Sequence, residues 1–176
     1  MHAAQSQPPV AIVVSRYNER VTGVMCAGAV EAYRNAGGDP AMLGIIDAAG
    51  SFELTGICLH AARSGLYAGV VALGCIIQGQ TRHDEHLAAA VAQGLTGVTL
   101  ATGVPVAFGV LTVRDTGQAE ARAGGDKGNK GAEAMTALLE SVGAVRAIEM
   151  ASRIGRPGLV HALSSVRTDK TASSSS

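Results

Sequence analysis

The sequence predicts an α/β fold, a three-layer sandwich in which helices flank both faces of a four-stranded parallel sheet. Three observations carry this. Four short runs rich in Val, Ile and Leu are apolar almost throughout instead of alternating, which is how strands buried on both faces read. Segments of helical length separate them, several closed by glycine. The chain has 176 residues, 47% of them apolar, enough for one hydrophobic core without a disulfide or metal staple. Crossovers between parallel strands are right-handed, which leaves the three-layer sandwich as the main architecture.

Residues 1–8 read as a flexible N-terminal arm, 9–153 as the folded domain, and 154–176, basic and then Ser-rich, as a disordered tail. Within the domain Pro9–Ser15 is a first buried strand. Thr22 is placed to cap a helix running to Asn35, stopped by Gly37-Gly38. Leu43–Ala48 is a second strand; Gly50 and Ser51 break it, and a helix follows from Phe52 to Ser64, before Gly65. Gly69–Gly74 is a third strand, entering a loop from Cys75 to Thr81. An Ala-rich helix is expected over Glu85–Ala101, ended by Gly103. Val104–Leu111 is a fourth strand, its proline tolerated near the start. A short helix ends at Arg122, the glycine-rich segment 124–131 interrupts, and a last helix continues to about Arg153.

Composition excludes several classes of function. Lys plus Arg and Asp plus Glu number 14 each, so the formal charge is zero, and no basic run interleaved with aromatics suggests nucleic acid as a partner. Charged residues make up 16%, against about 25% in a typical domain. Such a deficit predicts surface buried in a homo-oligomer. Cys26, Cys58 and Cys75 form no C-x-x-C pair and read as reduced core residues of a cytoplasmic protein. The start has no signal-peptide layout, and no apolar run approaches the ~20 residues that cross a bilayer. The expectation is a protein without a membrane partner.

Ligands of open parallel sheets bind beyond the carboxyl ends of the strands, here Arg16–Asn18, Gly50–Glu53, Cys75–His83 and Leu111–Asp115. No G-x-G spacing, Gly-Lys dipeptide or H-E-x-x-H motif occurs, so cofactor-driven chemistry has no visible motif. Of five aromatic residues, Tyr17, Phe52 and Phe108 are expected at or just after strand ends, where they either stack on a flat ring or pack the core. His83, with Glu85 and His86 close behind, suits general acid–base work, a metal site, or a plain solvated helix start. The loop Gly79-Gln80-Thr81 offers backbone N–H groups and a hydroxyl to an anion, and Arg122 offers a countercharge. The segment 124–131 reads equally as a phosphate cradle or as a glycine-relieved joint between helices.

Taken together, five segments resemble one family. They are Ser15-Arg16-Tyr17-Asn18, Gly50-Ser51-Phe52-Glu53, the run from Ala72 to His83, the run from Val104 to Thr112, and the stretch from Gln118 to Gly131. In order and spacing, over residues 9–151, they are similar to the lumazine synthases of riboflavin biosynthesis. The resemblance implies a flavodoxin-like fold and a transferase that condenses 5-amino-6-ribitylaminouracil with 3,4-dihydroxy-2-butanone 4-phosphate. The product is 6,7-dimethyl-8-ribityllumazine, and neither a metal nor an organic cofactor takes part.

Carried onto this chain, the resemblance has Tyr17 stacking on the pyrimidine and Asn18 orienting it. Ser51, Phe52 and Glu53 hold the ribityl chain, while Ile76 and Ile77 meet the ring through their backbone. Gln80 and Thr81 bind phosphate and Arg122 pairs with it; His83 transfers protons; Phe108 and Lys130 complete the pyrimidine site. In the family Phe108, Arg122 and Lys130 come from a neighbouring subunit. The implied assembly is a homopentamer or an icosahedral capsid of sixty subunits, with riboflavin synthase as a further partner.

Two departures stand out. Arg82-His83-Asp84-Glu85-His86 keeps the histidine and the carboxylate two residues later, but lacks the aromatic residues that usually flank them. Asp126 stands where many members carry Lys. The competing reading from another class is a shell, scaffold or lumazine-binding protein with impaired catalysis on the same fold.

Overall fold

The four apolar runs form β1 (Val10–Ser15), β2 (Leu43–Ala48), β3 (Gly69–Ile77) and β4 (Val106–Val113), paired in parallel in the order β2-β1-β3-β4. The computed structural model describes residues 7–159. The helices among them are α1 (Glu19–Asn35), α2 (Leu54–Arg63), α3 (His83–Thr102), α4 (Thr116–Arg122) and α5 (Lys130–Arg153). The expected α/β sandwich on a four-stranded parallel sheet is therefore present.

The central strands explain their composition. All six residues of β1 are buried, as are eight of the nine in β3. Ala11, Val13, Ala72 and Ile76 face the layer of α2 and α3, where Leu54, Cys58, Val91 and Leu95 meet them. Alternation along the strands turns Ile12 and Leu73 to the other face, on which α1 buries Val21, Met25, Ala29 and Tyr33. Burying each Val, Leu or Ile is worth about 1.5–3 kcal/mol, so the continuous apolar runs hold the two outer layers on.

Several boundaries differ from those read in the sequence, among them β4, which runs Val106–Val113 instead of Val104–Leu111, and α2, which starts at Leu54 instead of Phe52. β3 continues three residues past Gly74 because Cys75, Ile76 and Ile77 pair with Leu111, Thr112 and Val113 of β4. α1 starts at Glu19 and not at Thr22, whose hydroxyl instead bonds the Ser15 carbonyl at 2.7 Å. α3 starts at His83, two residues early. The stops coincide with the expected glycines. Gly37 (φ 85°) ends α1, with its N–H on the Arg34 carbonyl and that of Gly38 on Tyr33, and Gly103 (φ 73°) ends α3.

The glycine-rich segment is a joint. Residues Ala123–Gly125 (β5) and Gly128–Asn129 (β6) pair as a small antiparallel hairpin. Asn129 then caps α5, its Oδ1 accepting from Gly131 N and Ala132 N at 2.9 and 3.1 Å. Its Nδ2 donates to the Val24 carbonyl of α1 at 3.0 Å. A Cβ at Gly131 would collide with the Met25 carbonyl, so that glycine lets α5 start directly against α1.

Of the expected arm, residues 1–6 lie outside the described residues. Gln7 donates to the Ala36 carbonyl at 2.9 Å, and the Pro8 carbonyl accepts from the buried Tyr33 hydroxyl at 2.9 Å. The described residues divide into two compact units, one ending at Leu139 and the other beginning at Glu140. In the second, α5 ends in a left-handed cap at Gly155 (φ 64°), with Arg156 N bonded to the Ala151 carbonyl at 3.0 Å. Residues 160–176, most of the expected tail, lie outside the described residues. Among the described residues no helix is long and apolar enough to cross a membrane.

Candidate active site

The strand order reverses between β1 and β3, and open parallel sheets bind ligands at such a switch point. A pocket of ≈ 470 Å³ opens there. Asn18 builds its floor. It turns the chain out of β1 in the left-handed conformation (φ 63°), which asparagine tolerates better than most residues. Its Nδ2 then reaches across the switch point to the Cys75 carbonyl at 2.9 Å. Tyr17, before it, is left 72% exposed at the rim.

The turn after β2 forms a second wall. Ser51 is buried against Gly74, where a Cβ would come within 2.8 Å of its Oγ. Phe52 is 66% exposed and presents a ring face to solvent. Glu53 precedes α2 without capping it, which leaves its carboxylate free for a ligand. The end of β3 and the start of α3 complete the pocket with Ile76, Ile77, Gly79, Thr81, His83, Asp84 and Leu87.

Tyr17, Asn18, Ser51, Phe52, Glu53, Ile76, Ile77, Thr81 and His83 thus share one pocket. Gln80 is exposed and does not line it. Phe108 is placed differently from the strand end expected of it. It sits third in β4, opposite Ala72, and is 41% exposed. Arg122 and Lys130 form a separate cluster, bound to the same Glu133 oxygen at 3.2 and 3.3 Å. Arg122 also donates to the Lys127 carbonyl at 3.0 Å. Within one chain these three residues do not line the pocket.

Asp84 is a pocket residue that the sequence reading misses, because that reading begins α3 one residue later. The signal is present: positions 84, 88, 91, 95 and 98 follow helical spacing on the inward face.

Cys75 borders the pocket, but burial pushes its thiol up to about 11, and that of Cys58 to about 12. Neither is a thiolate nucleophile near neutral pH. Among the described residues no three His, Cys, Asp or Glu side chains are grouped to hold a metal ion. Glu85 is instead engaged by Arg82, at 2.8 and 3.0 Å, so the His83–Glu85–His86 metal alternative has no geometry behind it. What the pocket offers is exposed aromatic faces, hydroxyl, amide and carboxylate groups, and one histidine.

The chain is similar to known proteins. The family profile of 6,7-dimethyl-8-ribityllumazine synthase covers residues 7–146. The enzyme of that name from Thermus thermophilus is 45% identical over 139 residues, which is 79% of this chain and 88% of the relative. Its namesake from Xanthomonas oryzae pv. oryzae is also 45% identical, over 77% of this chain and 90% of its own. That from Xanthomonas euvesicatoria pv. vesicatoria is 46% identical over 132 residues, or 75% and 86%. The chain belongs to the 6,7-dimethyl-8-ribityllumazine synthase family.

Proposed function

We infer that the chain is a transferase of riboflavin biosynthesis. It condenses 5-amino-6-ribitylaminouracil with 3,4-dihydroxy-2-butanone 4-phosphate to 6,7-dimethyl-8-ribityllumazine, releasing phosphate and water. One substrate amine adds to the ketone carbon, and loss of water leaves an imine. A proton leaves carbon as phosphate departs with its C–O electron pair, and the second nitrogen then closes the ring with loss of a further water. Each step moves protons between held reactants, which a positioned acid–base group and close approach can serve. His83 is the pocket residue suited to that work. Tyr17 and Phe52 offer faces to the flat ring, and Ser51 and Glu53 offer hydrogen bonds to the ribityl hydroxyls.

The observation that carries the rest is what the pocket lacks. Its lining includes Glu53 and Asp84 but no lysine or arginine among the described residues, although one substrate carries a phosphate. A phosphate beside two carboxylates needs a cation. We assign that role to Arg122 and Lys130 of a second copy, whose Phe108 adds a third aromatic face. Gln80 and Thr81 lie before α3, where backbone N–H groups can receive the phosphate oxygens.

The site is then an interface, and the protein works as a closed ring of five copies or as a sixty-subunit shell of such rings. The low charged fraction, 16%, fits surface removed from water by assembly. The test is lumazine absorbance from purified protein given both substrates in excess chelator, with light scattering on the same sample. Product formation and a mass of at least five subunits support the reading. Absent product, or a mass of one or two subunits at micromolar concentration, contradicts it.

A further inference from the structure

Among the described residues Asp84 is the only Asp, Glu, Lys or Arg that is buried, at 9% exposure. It begins the inward stripe of α3 that continues through Ala88, Val91 and Leu95, each packed on or within the core. No described residue donates a hydrogen bond to its carboxylate, and no cation pairs with it. Neither oxygen is both sealed from solvent and unpaired; the group opens into the pocket at the switch point. A carboxylate that meets solvent at a pocket and has no donor among the described residues is open to a ligand there.

An ionised carboxylate only accepts hydrogen bonds. Its ligand must therefore offer an O–H or N–H, and a phosphate there would meet like charge. Of the two substrates inferred above, on which this argument rests, the ribitylaminopyrimidine is rich in donors and carries no charge, whereas the ketone is an anion. We propose that Asp84 determines which substrate occupies this side of the pocket. Its carboxylate accepts a hydrogen bond from a hydroxyl or amine of the pyrimidine substrate and turns the phosphate of the second substrate toward Thr81.

The test is steady-state kinetics on the assembled full-length protein, each substrate varied in turn, for wild type, Asp84→Asn and Asp84→Leu. Asp84→Leu is expected to raise KM for the pyrimidine at least tenfold and leave KM for the phosphorylated ketone unchanged or lowered. Asp84→Asn keeps one acceptor oxygen, so a rise of about threefold is expected. Because no described residue pairs with the carboxylate, neither variant is expected to lower the melting temperature. An unchanged pyrimidine KM in both variants overturns the assignment. So do equal rises in both KM values with a lowered melting temperature, which mark a structural role. A wild type without turnover contradicts the reaction itself, an outcome distinct from an active wild type indifferent to Asp84.

Discussion

Asn18 and Cys75 lie 57 residues apart, and the Asn18 side-chain amide donates to the Cys75 carbonyl at 2.9 Å. This bond ties the turn after β1 to the end of β3 and fixes the rim on which Tyr17 stands. Asn18→Ala removes the bond and leaves a Cβ-bearing residue less tolerant of φ 63°. The expected loss is about 1–3 kcal/mol, read as a lower thermal midpoint. Asn18→Gly loses the bond without the strain, so its midpoint falls less.

His83 lines the pocket from the first turn of α3. His83→Ala is expected to lower kcat about 10²- to 10⁴-fold, with a smaller change in either KM. Rates from single turnovers check this, since they report the proton-transfer steps and not product release. An undiminished rate removes His83 from the mechanism.

Two glycines of α5 should respond in opposite directions. Gly131→Ala drives a methyl into the Met25 carbonyl, and overpacking of that kind costs about 1–3 kcal/mol. Among the described residues nothing lies within 4 Å of where a Cβ at Gly143 would sit, so Gly143→Ala is expected to stabilise by about 0.5–1 kcal/mol through lower unfolded-chain entropy. Thermal melts of the two variants give the signs.

The buried thiols predict an alkaline weakness. Cys58 and Cys75 titrate at about 12 and about 11 in the folded chain because burial disfavours the thiolate. Unfolded cysteines titrate lower, near 8.5–9, so above that range the unfolded chain holds fewer protons than the folded one. Stability is therefore full below about pH 8.5 and falls as pH rises toward 11–12. Replacing both by alanine should flatten that decline in melts between pH 8 and 11, whatever it costs at neutral pH.

The sheet is legible in the sequence because β1 and β3 are buried on both faces, and nothing except continuous apolar sequence satisfies that. The helix stops are legible because Gly37, Gly65 and Gly103 all adopt positive φ. The end of β3 is not, since Cys75, Ile76 and Ile77 take their strand conformation from pairing with Leu111, Thr112 and Val113, a contact no local pattern carries. The pocket's chain-local half can be read from motifs at strand ends. Asp84 escapes because an acidic residue before a helix looks like a solvated start, and its helical spacing with positions 88, 91, 95 and 98 shows only once α3 is begun at His83. The two readings of segment 124–131 separate only when Gly131 is seen against Met25. Phe108, inside a strand, and the Arg122–Lys130 cluster lie away from the pocket of their own chain, and only the proposed assembly gives them a place in the site.

The central claim is that pocket and cations belong to different copies of the chain. The direct test is to co-express His83→Ala with Arg122→Ala, purify mixed assemblies, and measure lumazine formation against each parent alone. If the site spans a head-to-tail interface, each parent is nearly inactive and random mixing restores about one quarter of the sites. If both residues act within one chain, every site in the mixture still carries a lesion and the activity stays at the level of the parents; that result would contradict the account.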